Sequence, residues 1–249
     1  LPHGPRAVKV AAMPTSRNST RAPGLARRIL RLAVRLAAGL AAAFAVLVVL
    51  YALLPPPSTL MIGRWLTLKP VARDWVALDA ISPALVAAVV TSEDARFCSH
   101  YGVDTIELSE VVDAFMEGEK TRGASTITMQ VAKNLFLWPS RSVIRKGLEI
   151  PMALVIDAIW SKRRIIEVYL NVAEWGDGVF GAEAGARRHF GKPARALTRR
   201  EAALMAAALP NPIQRDAGRP GRRHAVLAAR LAARASPDAP WLACLGLAR

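Results

Sequence analysis

Two groups of residues are of a kind and spacing that could do chemistry. The first is the adjacent pair Glu93 and Asp94, which closes an apolar run over residues 84–90 whose helical start is marked by Ser82 at the cap and Pro83 at the first position. Both acids then fall at the C-terminal end of a mostly buried helix. The helix dipole there favours cations, and burial disfavours a carboxylate, so an acid held against both preferences is a candidate catalytic group. The commoner reading of such a pair is a solvated helix end. The second group is basic: Lys133, Arg141, Arg145 and Lys146 lie within 14 residues, with a turn between Lys133 and the other three. Converging from two helices, they would suit a diphosphate whose charge must be balanced as it departs. A solvated basic face is the commoner use of such residues, and Glu149 offers Arg145 an ordinary i,i+4 pair.

The elements that must position these groups read as helices. Asp104-Thr105-Ile106-Glu107 has capping-box spacing before a helix that Gly118 would close. Residues 118–125 are polar and glycine-containing and read as a mobile loop. Ser125 is expected to cap a helix running to about Phe136. A long helix is predicted from Ser140 towards Trp160, kinked at Pro151. Ser161 starts another through Asn171, followed by a turn at Gly176-Asp177-Gly178. A helix over 181–190 is closed by Gly191, and Thr198 to Glu201 forms a second capping box before the helix that Pro210 ends. A basic helix covers about 221–235. Alternating β-branched runs are missing, so the extramembrane part is predicted to be all-α.

The chain has 249 residues, enough for one core of about 100–200 residues with some left over. The remainder lies at the N-terminus, where residues 36–54 are 19 positions without a charge, ended by Pro55-Pro56-Pro57. As a helix this run nearly spans a hydrocarbon core of about 30 Å, and reads as a membrane anchor. A cleaved signal peptide is the competing reading; the run is longer than the usual apolar region, and Leu53-Leu54-Pro55 is a poor cleavage site. The resulting division is a basic cytoplasmic tail (1–35), the anchor (36–54), a linker (55–81) and one domain (82–249). The linker is expected to be extended or mixed, with Trp65 and Trp75 as interfacial residues. The chain begins with Leu1, so its native start is expected to differ.

The net charge is +15, but 11 basic residues and no acidic ones precede Asp74, and the rest carries a net of only +4. The excess sits around the anchor, which keeps the N-terminus cytoplasmic and draws it to anionic lipid. Nucleic acid is not needed to explain it. Cys98 and Cys244 lack metal-type spacing, and their pairing is open; two small buried thiols is the commoner reading.

Five stretches carry a family resemblance. Glu93-Asp94-x-x-Phe97-x-x-His100-x-Gly102 resembles the first signature of the peptidoglycan glycosyltransferases (glycosyltransferase family 51), and residues 123–130, Gly-Ala-Ser-Thr-Ile-Thr-Met-Gln, resemble the second. Arg145-Lys146-x-x-Glu149 is similar to the third, Lys162 through Tyr169-Leu170-Asn171 to the fourth, and Gly181 through Phe190-Gly191-Lys192 to the fifth. They stand in the family's order across about residues 90–212. Residues 133–138 and 173–180 are similar to its monofunctional branch, and the chain has no Ser-x-x-Lys of a transpeptidase.

The resemblance implies a lysozyme-like bilobal domain behind a single transmembrane helix, and polymerisation of lipid II, the undecaprenyl-diphosphate-linked disaccharide pentapeptide, into β-1,4 glycan strands. It implies Glu93 as general base and Glu149 as a second carboxylate that assists diphosphate departure, directly or through magnesium or manganese. Lys133, Arg141, Arg145 and Lys146 would hold diphosphates, with Ser125, Thr126 and Gln130 as further substrate contacts. Asp94, Phe97, His100, Gly102 and Asn171 would be structural. The implied partners are lipid II, the growing strand and the membrane, with cell-division or wall-synthesis proteins as candidates. The implied location is the bacterial inner membrane, catalytic domain in the periplasm.

Four positions depart from the family pattern. Glu110 stands where a basic donor-site residue is expected, Met129 replaces the first of two usual glutamines, His189 a usual tyrosine, and Pro151 follows Glu149 closely. They motivate the alternative of a degenerate lipid II-binding scaffold; a lytic transglycosylase, which needs no basic diphosphate site, is the other.

Overall fold

The computed structural model describes residues 23–117, 125–140 and 142–247; the tail 1–22, the polar loop 118–124 and Arg141 lie outside them. The chain divides into two compact units, residues 1–45 and 46–249. Helix α1 (Pro23–Leu53) starts well before the uncharged stretch, since the arginines ahead of Leu36 are good helix formers and nothing interrupts them. In the first unit its apolar side chains, Leu30, Leu36 and Leu40 among them, are exposed. Residues 24–53 are long and apolar enough to cross a membrane.

In the second unit the end of α1 is tied into the protein. Val48 is buried, its carbonyl accepts from Trp160 Nε1 at 2.9 Å, and Tyr51 stacks on Phe136. The segment expected to be an extended or mixed linker holds α2 (Thr59–Leu66), which the Ser58 hydroxyl caps by accepting from Met61 N.

Helix α3 (Pro83–Glu93) is the core element, its residues 85–90 all buried. It packs against α9 (Arg199–Ala208) and α10 (Arg222–Arg234), while α5 (Ile127–Phe136) packs against α6 (Val143–Ile159) and α7 (Lys162–Val172). Helices α4 (Thr105–Met116) and α8 (Ala182–Phe190) complete the set. The sequence-predicted capping box at Thr198 is present, and Gly191 closes α8 in the left-handed conformation at φ +67°. At α4 the Asp104 carboxylate alone accepts from Ile106 N and Glu107 N. Helix α6 starts at Val143, capped by Ser142 rather than Ser140, and Pro151 lies within it without ending it.

Strands also occur, in a largely helical protein. β1 (Ala72–Arg73), β2 (Glu174–Gly176) and β3 (Val179–Phe180) form a sheet in the order β1-β3-β2, with β1 parallel and β2 antiparallel to β3. Two-residue strands are too short for an alternating pattern to reveal. Cys98 and Cys244, whose pairing the sequence leaves open, form a disulfide across 5.8 Å between Cα atoms. It ties the loop after α3 to a 3-10 turn over Pro240–Leu245.

Candidate active site

Glu93 is the last residue of α3, and Asp94 leaves the helix as its C-cap. Buried Asp94 accepts from His100 Nε2 at 2.9 Å through Oδ1, and from the Ile127 amide at 2.9 Å through Oδ2. One carboxylate thus joins the end of α3, the following loop and the start of α5, where the helix dipole favours its charge. Phe97 is buried beneath the Lys162 ammonium, 4.7 Å from its ring centroid. Lys162 also donates to His100 O at 2.7 Å and to Asp157 Oδ2 at 2.6 Å. Gly102 has φ +79°, and a Cβ there would lie 2.5 Å from Ala153 O, so both backbone conformation and space demand glycine. Asn171 accepts from Val76 N and donates to Val76 O and Glu167 O, fixing the segment before α3 to α7.

Gln130, on α5, donates from Nε2 to Glu93 Oε2 at 3.1 Å and accepts from Tyr169 Oη at 3.1 Å. Burial pushes the Glu93 carboxyl above its ordinary range; the Gln130 hydrogen bond and the Lys133 charge oppose this, and Asp94 adds to it. Lys133, one turn along α5 from Gln130, is pulled down by burial, while Glu149 and Glu93 act to raise it. Lys133 lines a hollow of about 190 Å³ with Gln130 and Tyr169, and a cleft of about 570 Å³ with Thr59 and Arg145.

The third group is centred on Glu149, only 3% exposed. Its Oε1 accepts from Arg145 Nη1, and its Oε2 accepts from Lys146 Nζ at 2.8 Å. Lys146 Nζ also donates to the Ser125 hydroxyl. Ser125, expected to cap α5, therefore faces the basic group, and Thr126 is the cap: its Oγ1 accepts from Met129 N and donates to Gly102 O at 2.6 Å. Thr126, expected as a substrate contact, is committed to the backbone on both sides.

Arg141 lies outside the described residues. Of the departures, Met129 is a core residue beside Val103 and Ala153, and Glu110 is exposed on α4. His189 lies between Asp216 Oδ1 and Trp175 O, at 3.0 and 2.7 Å. Both Glu149 oxygens face cations, so a divalent ion there would have to displace Arg145 or Lys146, and the described residues hold no group of three His, Cys, Asp or Glu that could bind a metal without a substrate's phosphates. Sequence reasoning named Gln130 as a substrate contact and did not find its bond to Glu93; no signal short of the folded arrangement of α3, α5 and α7 would have given it.

A buried carboxylate beside cations that can take up the charge of a departing anion is the equipment of a group-transfer enzyme, and a membrane-length helix suits a substrate that resides in lipid. The transglycosylase family model matches residues 61–233, and the chain belongs to that family. It is 54% identical over 211 residues, covering 84% of this chain and 93% of the relative, to a biosynthetic peptidoglycan transglycosylase of Rhodopseudomonas palustris (strain HaA2). Proteins of the same name from Rhizobium meliloti (strain 1021) and Nitrobacter hamburgensis are 52% and 60% identical, over 76% and 67% of this chain and 80% and 74% of theirs.

Proposed function

We propose that this protein is a peptidoglycan glycosyltransferase that polymerises lipid II into β-1,4 glycan strands and releases undecaprenyl diphosphate. The observation that carries the reading is the placement of Glu93 on Gln130, one helical turn from Lys133. Glu93 Oε takes the proton of the acceptor's 4-hydroxyl as that oxygen attacks the anomeric carbon of the growing chain. The new C1–O4 bond forms, the C1–O bond to diphosphate breaks with inversion, and the electron pair leaves on the diphosphate. Lys133, Arg145 and Lys146 meet that charge, and Ser125 adds a hydroxyl beside Lys146. Glu149 acts through Arg145 and Lys146 as a positioning residue. Positioned bases contribute about 10²- to 10⁴-fold, and the raised proton affinity of Glu93 makes it a stronger base than an exposed carboxylate.

The second unit lies outside the cytoplasm in this reading. The basic residues before α1 support that topology, and so does the Cys98–Cys244 disulfide, which suits an oxidising compartment.

The test is detergent-solubilised full-length protein with labelled lipid II, resolved on gels with and without muramidase, beside Glu93→Gln. Muramidase-sensitive polymer from the wild type alone is the expected result. Equal polymer from Glu93→Gln removes the base from the mechanism. Folded protein that binds lipid II without turnover points to a scaffold, and fragments released from purified wall point to a lytic enzyme.

A further inference from the structure

Glu93 also lines a cleft of about 560 Å³ formed with α9 and α10, to which Lys133 does not contribute. Three arginines line it. Arg215 is held by a bond from Nη1 to Ala207 O at 3.0 Å, while Arg230 and Arg234, one turn apart on α10, pair with no carboxylate among the described residues. The cleft shares Thr91 and Arg234 with a second hollow of about 450 Å³ bounded by the exposed ring of Trp241. All four arginines of α10, Arg222, Arg223, Arg230 and Arg234, are exposed, but only Arg230 and Arg234 line these hollows. The three guanidiniums do not serve Glu93, whose bonded partner is Gln130 and whose acting cation is Lys133.

The geometry points to a binding site for the carboxylate-bearing peptide stem of the glycan substrate, with Arg230 and Arg234 as its anion-binding pair. This rests on the polymerase reading above. The cleft that contains Lys133 and Arg145 is bounded by Thr59 and Leu60, a few residues after α1 ends, so the lipid-linked diphosphate belongs there. Glu93 lines the α10 cleft and is bonded to Gln130, which lines the hollow shared with Lys133, so the lipid-free part of the substrate, sugars and peptide, falls to the α10 side. A pentapeptide ends in a carboxylate, and planar guanidiniums bind carboxylates through paired hydrogen bonds. Volume agrees, since clefts of about 300–1,000 Å³ take ligands of several residues or rings.

The experiment compares lipid II bearing free stem carboxylates with lipid II whose stem carboxylates are amidated, on wild type, on Arg230→Gln/Arg234→Gln and on Arg230→Lys/Arg234→Lys. The glutamine variant is expected to raise KM about tenfold on the carboxylate substrate, to change it less than about twofold on the amidated one, and to keep kcat. The lysine variant keeps most of the discrimination. An equal loss on both substrates, or none on either, overturns the proposal; the former would assign the arginines to another anion such as a diphosphate. A parallel calorimetric titration with the soluble disaccharide pentapeptide and its amidated form needs no turnover. If wild type polymerises neither substrate, the polymerase reading fails, and this titration still decides the site: tighter binding of the carboxylate form, lost in the glutamine variant, sustains it, and identical binding sinks it.

Discussion

Gln130 Nε2 donates to Glu93 Oε2 across 3.1 Å, and Gln130 is itself held by the buried Tyr169 hydroxyl. The proposed base is therefore aimed by a helix other than its own. Because the bond stabilises the carboxylate, its loss raises the Glu93 proton affinity further. Gln130→Leu is expected to lower kcat about 10- to 100-fold at neutral pH, the worth of a hydrogen bond to a charged group, and to move the acidic limb of the rate profile to higher pH. A uniformly lower profile with an unmoved limb would assign Gln130 to substrate instead. Tyr169→Phe should shift the limb in the same direction by less.

Glu93→Gln is expected to cost about 10²- to 10⁴-fold in turnover. Its stability should move the other way. The folded protein binds the Glu93 proton more tightly than the unfolded chain, so the residue contributes stability below its unfolded value and loses it as pH rises through the folded one. At neutral pH the glutamine variant should therefore melt above wild type, with the gain disappearing as pH falls through the carboxylate range. Thermal melts from acid to neutral pH check this; a variant less stable at neutral pH would mean that Glu93 makes a favourable ion pair.

Glu149 lies beneath Arg145 and Lys146, and removing it leaves two cations facing a buried site. Glu149→Ala is expected to destabilise by about 3 kcal/mol, the lower end for a broken buried pair because Lys146 is partly exposed, and to reduce kcat as the cations lose their positions. Denaturant melts of Glu149→Ala and the triple variant with Arg145→Met and Lys146→Met separate the two effects: the triple variant should recover stability without recovering activity.

What the sequence made legible was local. Ser82-Pro83 and the apolar run placed Glu93 at a helix end, and Thr198 with Glu201 marked a cap, because each signal lies within one turn of the element it governs. The Ser125 and Thr126 hydroxyls were not separable, since adjacent residues can each cap one helix and only the approach of Lys146 and Gly102 sorts them. The helix over residues 59–66 lies in a segment expected to be extended or mixed, because eight residues with an acceptable cap at Ser58 are too short a pattern to announce a helix. Pairing between β1 and β3 joins two dipeptides more than a hundred residues apart, which no periodicity records.

The Cys98–Cys244 bridge joins residues 146 apart, and a loop of that length removes much entropy from the unfolded chain. Cys98→Ser/Cys244→Ser is expected to lose about 2–5 kcal/mol, and wild type under dithiothreitol should fall to the melting temperature of the variant. Activity should fall less at low temperature than on warming, since Asp94, His100 and Ile127 hold the loop that carries Cys98 without help from the disulfide. Protein from a reducing cytoplasm should match the double variant, and protein exported across the membrane the wild type. If oxidised and reduced wild type melt together while the thiols are shown to change, the bridge restrains nothing that unfolding releases, and the loop after Glu93 is held by the Asp94 network alone.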